Sequence, residues 1–207
     1  FVDNTSRPLG LQSDRWIDER RDIEKSTAAA VRHLRNIRGC FPDWALTLAA
    51  YNGGAGYMKR TMEKTGHSDF WKLRDGGHLR DETSEYIPKY IALIVIYKNQ
   101  RLFGVKDEIT VPKKIETDYY TLQRPVDLRD LSRVAGIPLQ IIRDLNPELG
   151  TTMTPPGIKN YRLRIPAEAA ERLSVKAESL YSKKTPGVTR HRVKKGESIT
   201  SIARMYK

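Results

Sequence analysis

The feature that most constrains this chain is the abrupt end of an apolar helix in a glycine-rich turn. Residues 46–50 are small or apolar enough to be buried on nearly all sides of a helix. They lead directly into Tyr51 and Asn52, and three glycines fall within the next four positions. Glycine permits positive φ and the close approach of a ligand. The pattern therefore predicts a buried helix that presents Tyr51 and Asn52 beside open space.

The composition supports a folded chain. Apolar residues make up 39% of the 207 residues, enough for a packed core. The longest apolar run, residues 91–97, is far shorter than the roughly 20 residues of a transmembrane helix. A single cysteine, Cys40, excludes an internal disulfide, and the four histidines lack ligand spacing. We therefore expect no metal site and no cofactor.

The charge is basic and uneven. The net charge is +12, and residues 106–207 hold 20 Lys and Arg against 12 Asp and Glu. Such an excess suits nucleic acid, an anionic cell-wall polymer or a membrane surface, and it does not distinguish them. Because the chain has no nucleic-acid recognition motif, we do not expect nucleic acid as a partner.

The first half is predicted to be helical throughout. Capping residues and apolar spacing predict five helical segments, at 26–38, 44–51, 57–64, 69–73 and 83–103. Ser26 is the predicted cap of the first, and Asp43 is the predicted cap of the second. The last helix has the strongest apolar face in the chain. Pro88 lies in its early part, where proline either begins or kinks a helix.

The pattern changes after Val111, where β-branched and turn residues replace the helical periodicity. The order β-α-α-β is predicted, with a strand at 119–122, helices at 128–135 and 139–145, and a strand at 161–165. A further helical segment is predicted at 166–181. A linker follows. Residues 191–199 are then predicted to form a further strand and turn, with the start of a helix from Ile202.

Three stretches of the first half together resemble a known family. Residues 18–34, residues 44–54 with Tyr51-Asn52-Gly53-Gly54, and residues 82–91 with Tyr86-Ile87-Pro88 are similar to the second half of the lysozyme-like catalytic domain of lytic murein transglycosylases. The membrane-bound D-type subgroup is the most similar, because a LysM-like region follows.

The second half resembles the LysM module. Residues 191–199 are similar to a LysM opening, and Leu145-Asn146-Pro147 is similar to the end of that module's second helix. The opening of the unit at 118–166 lacks the module's usual turn. The expected fold is a mainly α, lysozyme-like partial catalytic domain followed by small α+β LysM-like units. The expected domains are 1–105, a divergent LysM-like domain at 112–181, a linker at 182–190 and a truncated LysM module at 191–207.

The resemblance implies cleavage of the β-1,4 bond between N-acetylmuramic acid and N-acetylglucosamine in peptidoglycan, with formation of 1,6-anhydro-muramic acid. A single Glu acts first as acid and then as base in this family. That Glu belongs to a motif expected upstream of Phe1, so this chain alone is expected to be inactive. The resemblance assigns Tyr51 to the support of that Glu and assigns substrate contacts to four further residues: Asn52, Gly53, Glu82 and Tyr86.

Other interpretations remain open at this point. The chain could be a non-catalytic peptidoglycan-binding module. Tyr51 and Asn52 could form only a helix C-cap, and Glu82 could act only as a charge partner of a helix N-terminus. The resemblance places the protein in the bacterial envelope, in the periplasm or at the outer membrane, with membrane attachment through a missing N-terminal segment.

Overall fold

The computed structural model describes residues 1–105, 115–182 and 191–206. It divides the chain into two compact units, Phe1–Ile115 and Glu116–Lys207. The expected start of the LysM-like domain at residue 112 and most of the expected linker lie outside the described residues.

The first unit is helical. After α1 (Asp3–Ser6) and a 3-10 turn (Glu19–Arg21), its helices are α2 (Ile23–Arg38), α3 (Trp44–Gly53), α4 (Ala55–Thr65), α5 (Phe70–Asp75) and α6 (Asp81–Lys98). The core lies around α3, whose Leu46, Ala49 and Ala50 are buried. Met58 of α4 and Phe70 of α5 belong to the same apolar cluster.

Local signals predicted most of these helices, with one error in a cap. Asp43 accepts the backbone N–H of Leu46 and caps α3 as expected. The predicted cap Ser26 is wrong, because α2 begins one turn earlier and its cap is Asp22, which accepts the N–H of Lys25. Both residues suit a cap, and the one that ends the preceding 3-10 turn is used.

Helix α6 differs from its prediction in position and in burial. It runs from Asp81 to Lys98, so Pro88 lies inside it and does not begin it. Only Thr83 and Ile87 of this helix are buried. Its later apolar residues are exposed, including Ile91, Leu93 and Tyr97. The strong apolar face predicted for this segment is therefore largely uncovered within the described part of the first unit.

The second unit has the predicted β-α-α-β order. Strand β1 (Thr117–Leu122) is followed by α7 (Leu128–Ala135), α8 (Leu139–Leu145) and β2 (Tyr161–Pro166). The strands pair antiparallel, with Tyr120 opposite Leu163. The helical segment predicted at 166–181 forms two helices, α9 (Ala167–Val175) and α10 (Ala177–Ser182).

The strand predicted near residue 191 is not observed. Residues 191–194 join no sheet, and the described chain contains one strand pair, β1 with β2. A strand is stable only when a neighbour accepts its hydrogen bonds, and none of the described residues pairs with this segment. Helix α11 (Ile199–Met205) does follow, with Ser198 and Ser201 forming a reciprocal cap.

A pH-dependent contribution to the stability of the second unit comes from Asp127, which caps α7 by accepting the N–H of Arg129. Hydrogen bonds from the Arg129 guanidinium hold the pKa of Asp127 below its usual value. We expect Asp127→Ala to lower the free energy of unfolding by about 1 kcal/mol at pH 7. Because the folded-state pKa is the lower one, this contribution is present at neutral pH and lost as pH falls through it.

Urea denaturation followed by far-UV circular dichroism over a pH series measures this effect. The difference between wild type and Asp127→Ala should shrink toward zero in acid. Asp144→Ala, which removes an exposed carboxylate of α8, is the matched control. A difference that stays constant from pH 7 into acid would contradict the assignment.

Candidate functional site

The candidate site begins where α3 ends. Gly54 has φ +97°, and it is both the C-cap of α3 and the N-cap of α4. A side chain is strained at this backbone angle, so glycine allows α4 to begin only one residue after α3 ends. The turn leaves Tyr51, Asn52 and Gly53 at the free end of α3.

A pocket of about 580 Å³ opens beside this turn. Its walls come from the N-terminal segment, from α2 and from the α3–α4 turn. The lining residues are Phe1, Val2, Thr5, His33, Ala50, Tyr51, Asn52, Gly53, Gly54 and Ala55. The open space predicted beside Tyr51 and Asn52 is therefore present in the structure.

Three aromatic side chains group at this pocket. The ring of Tyr51 lies 5.6 Å from that of His33 and 6.4 Å from that of Phe1, measured between ring centres. Burial raises the pKa of Tyr51, and the neighbouring Tyr86 adds to this rise. Burial also lowers the pKa of His33. Both side chains are therefore neutral at pH 7, and the Tyr51 hydroxyl is available as a donor.

Asn52 joins the end of α3 to the start of α6. Its Nδ2 donates to Glu82 Oε1 at 3.2 Å, and its Oδ1 accepts from the hydroxyl of Thr83 at 2.9 Å. Thr83 is buried, so this contact holds the amide of Asn52 in one orientation. A Cβ at Gly53 would lie 2.7 Å from Thr83 Oγ1, so the two helices approach closely here.

The structure brings the predicted site residues into one region. Tyr51, Asn52 and Gly53 line the pocket, whereas Glu82 and Tyr86 do not. Glu82 reaches the site through its bond to Asn52, and Tyr86 packs beside the same core cluster as Tyr51.

His33 and Phe1 were missed by sequence reasoning. For His33 a signal was available, because the residues four before and four after it, Ala29 and Ile37, are apolar and share its helix face. Both are buried. Nothing in the pattern of the first few residues pointed to Phe1.

Neither a metal cluster nor a membrane span is found in the described part of the chain. Within residues 1–105, 115–182 and 191–206, no three His, Cys, Asp or Glu residues group as metal ligands would. Over the same ranges no helix combines the length and the apolarity needed to cross a bilayer.

Two protein families match this chain. Residues 1–74 match the transglycosylase SLT domain, and this range includes Tyr51, Asn52 and Gly53. Residues 116–182 match the LysM-like domain of lytic transglycosylase MltD, beginning at the first residue of the second unit. Both matches make the chain similar to the lytic transglycosylase family. Its fold is accordingly a lysozyme-like SLT domain followed by a LysM-like domain.

Two curated members of this family are similar to the chain over nearly its whole length. They are the membrane-bound lytic murein transglycosylases D of Escherichia coli strain K12 and of Escherichia coli O6:H1 strain CFT073. Each is 31% identical to this chain in an alignment 219 positions long. The alignment covers 98% of this chain and 47% of the relative. The chain thus spans about half the length of these transglycosylases.

Proposed function

We propose that the protein containing this chain is a peptidoglycan lytic transglycosylase that cleaves the β-1,4 bond between N-acetylmuramic acid and N-acetylglucosamine. The observation that carries the proposal is the pocket at the end of α3, where Tyr51 and Asn52 line a space of about 580 Å³ inside the SLT match. Pockets of several hundred Å³ are typical of ligand sites.

In the proposed reaction, one carboxylic acid protonates the glycosidic oxygen as the C1–O bond breaks. The muramoyl 6-hydroxyl oxygen then bonds to C1, and the same carboxylate takes the hydroxyl proton. This closes a 1,6-anhydro ring without consuming water. None of the ten described residues that line the pocket carries a carboxylate. We therefore propose that the acid is a Glu contributed by a segment outside residues 1–207, and that residues 1–207 alone are inactive.

The residues of this chain act around that carboxylate in the proposal. The neutral Tyr51 hydroxyl donates a hydrogen bond to it and so favours its ionised form. Asn52 and Gly53 contact the sugar, with Asn52 held in orientation by Thr83. Glu82 and Tyr86 at the start of α6 face the saccharide or its peptide stem. The positions of these five residues near the C-terminal end of α3 support these roles.

The LysM-like match supports a second role, which is glycan binding without cleavage. We assign residues 1–105 to the catalytic domain, 112–181 to the LysM-like domain, 182–190 to a linker and 191–207 to the start of a second LysM module. In this alternative the chain holds peptidoglycan through its second unit.

The similarity to membrane-bound relatives supports an envelope location, in the periplasm or at the outer membrane. We propose that membrane attachment is supplied by a segment outside residues 1–207.

Product analysis tests the proposal. Purified peptidoglycan is digested with the intact protein, and the soluble fragments are treated with borohydride before mass spectrometry. Anhydro ends are lighter than hydrolysed ends by one water and are not reduced. Reducible ends as the main product would refute the transglycosylase reaction. The 207-residue chain should remain on insoluble peptidoglycan without releasing fragments; if it also fails to bind, the binding role is wrong.

A further inference from the structure

A second pocket, of about 430 Å³, lies on the first unit next to the candidate site. It is formed by one face of α4 and by the turn after α5. Tyr57, Arg60 and Lys64 come from the helix, and His78 comes from the turn. Gly77 has φ +69° and no side chain, which leaves the turn side of the pocket open.

The charge of this pocket is unbalanced. Its lining residues include Arg60, Lys64 and His78 but no Asp or Glu. Arg60 and Lys64 are four residues apart and therefore share a helix face. Neither makes an ion pair with any described residue, whereas Arg20 and Arg129 are paired with neighbouring carboxylates. An anion in this pocket would relieve the repulsion between the two cations.

A third cationic side chain, Arg80, lies beside the pocket. The guanidinium carbon of Arg80 lies 4.2 Å from the centre of the Tyr57 ring, and the Tyr57 hydroxyl accepts the backbone N–H of Arg80. The stacking holds Arg80 over the aromatic face. Like Arg60, Arg80 has no ion-pair partner in the described part of the chain.

The available donors favour an anion over a neutral polar group. The hydroxyls of Thr61 and Thr65 in the same wall donate to backbone carbonyls of α4, at 3.1 and 2.8 Å. Their protons are therefore not free for a ligand. The donors that remain include the forked guanidinium of Arg60, the ammonium of Lys64 and the ring N–H of His78, a set that suits a carboxylate.

Tyr57 forms the wall between this pocket and the candidate site. Its Cδ1 lies 3.2 Å from where a Cβ at Gly53 would be, and Gly53 lines the first pocket. The two pockets therefore adjoin at the first turn of α4, where Tyr57 packs against Gly53. A peptidoglycan strand carries carboxylates close to its sugars, on the peptide stems.

We propose that the pocket between α4 and the turn after α5 binds a free carboxylate of the peptide stem while the glycan strand occupies the neighbouring site. The proposal rests on the proposed function, because it takes the sugar strand as the ligand of the first pocket. It makes Arg60 and Lys64 recognition residues for the peptide part of the substrate.

Calorimetry with three soluble ligands tests it on the 207-residue chain. The ligands are a disaccharide tetrapeptide, the same compound with its carboxylates converted to amides, and the peptide-free disaccharide. We expect the carboxylate form to bind about fivefold more tightly than the amide form, the size expected of two exposed charge pairs. The double variant Arg60→Gln/Lys64→Gln should bind both forms equally. Lys59→Gln, which removes a cation from α4 outside the pocket, should keep the fivefold ratio.

Each outcome decides the proposal. A ratio that persists in Arg60→Gln/Lys64→Gln would place carboxylate recognition elsewhere in the chain. Equal binding of both peptide forms by wild type overturns the inference and leaves the proposed function intact. If wild type binds none of the three ligands, the inference fails, and the proposed function is decided separately by the products that the intact protein releases. Amide resonances of Thr61 and Gly77 that shift with the carboxylate ligand alone would support the site directly, independently of affinity.

Discussion

Replacing Asn146 with alanine is expected to lower the free energy of unfolding of the second unit by about 3 kcal/mol, since one buried and two partly buried hydrogen bonds are lost. Asn146 is 1% exposed. Its Nδ2 donates to the carbonyls of Ile142 and Arg164, both at 2.7 Å, and its Oδ1 accepts the N–H of Arg164 at 2.8 Å. One side chain therefore ends α8 and also covers the outer edge of β2.

The edge of β2 explains why the effect should be large. In the two-stranded sheet, β1 lies on one side of β2, and Asn146 supplies the partner for Arg164 on the other. Alanine would leave the N–H and carbonyl of Arg164 without this partner. A partly buried backbone group without a hydrogen bond is costly.

Two optical signals separate this effect from any change in the first unit. The three tryptophans of the chain, Trp16, Trp44 and Trp71, all belong to the first unit. Urea unfolding followed by tryptophan fluorescence should be unchanged in Asn146→Ala, while the far-UV circular dichroism transition moves to lower urea. Gln140→Ala removes an exposed amide from the same helix and should have little effect. A shift in both signals would contradict a role confined to the second unit.

Gly53→Ala is expected to destabilise the first unit by about 2 kcal/mol, within the range for an overpacked contact. Alanine normally stabilises a helix relative to glycine. Here the added Cβ would lie 2.7 Å from Thr83 Oγ1 and 3.2 Å from Tyr57 Cδ1. Thr83 is 1% exposed, and its hydroxyl is bonded to Asn52, so it cannot move without breaking that bond. The clash therefore outweighs the gain in helix propensity.

A double-mutant cycle with Thr83→Ala tests the cause. In the Thr83→Ala background, Gly53→Ala should cost less than about 0.5 kcal/mol, because the two Thr83 atoms are gone and only the milder 3.2 Å contact with Tyr57 remains. Gly39→Ala is the matched control, since a Cβ there meets Asn36 O at an ordinary 3.7 Å. Tryptophan fluorescence during urea unfolding gives the free energies. An equal cost of Gly53→Ala in both backgrounds would place the strain somewhere other than Thr83.

Elements defined by nearby residues were predictable. The cap of α3 at Asp43, the bounds of α7 and α8, and the alternation of β2 were all read correctly, because each depends on residues within one or two turns. Errors arose where two local solutions compete, as at Asp22 and Ser26. They also arose where a strand needs a distant partner, as at residues 191–194.

The candidate site shows the same division. The sequence by itself determined that a buried helix leads through Tyr51 and Asn52 into a glycine turn, since these are short-range properties of the backbone. The helix was predicted to end at residue 51 and ends at Gly53, with Gly54 at positive φ. The tertiary structure decided that His33 comes to lie against Tyr51, and that Thr83 holds the amide of Asn52 from 31 residues away. Those contacts depend on how helices pack, and packing is set by the shapes of side chains far apart in the chain.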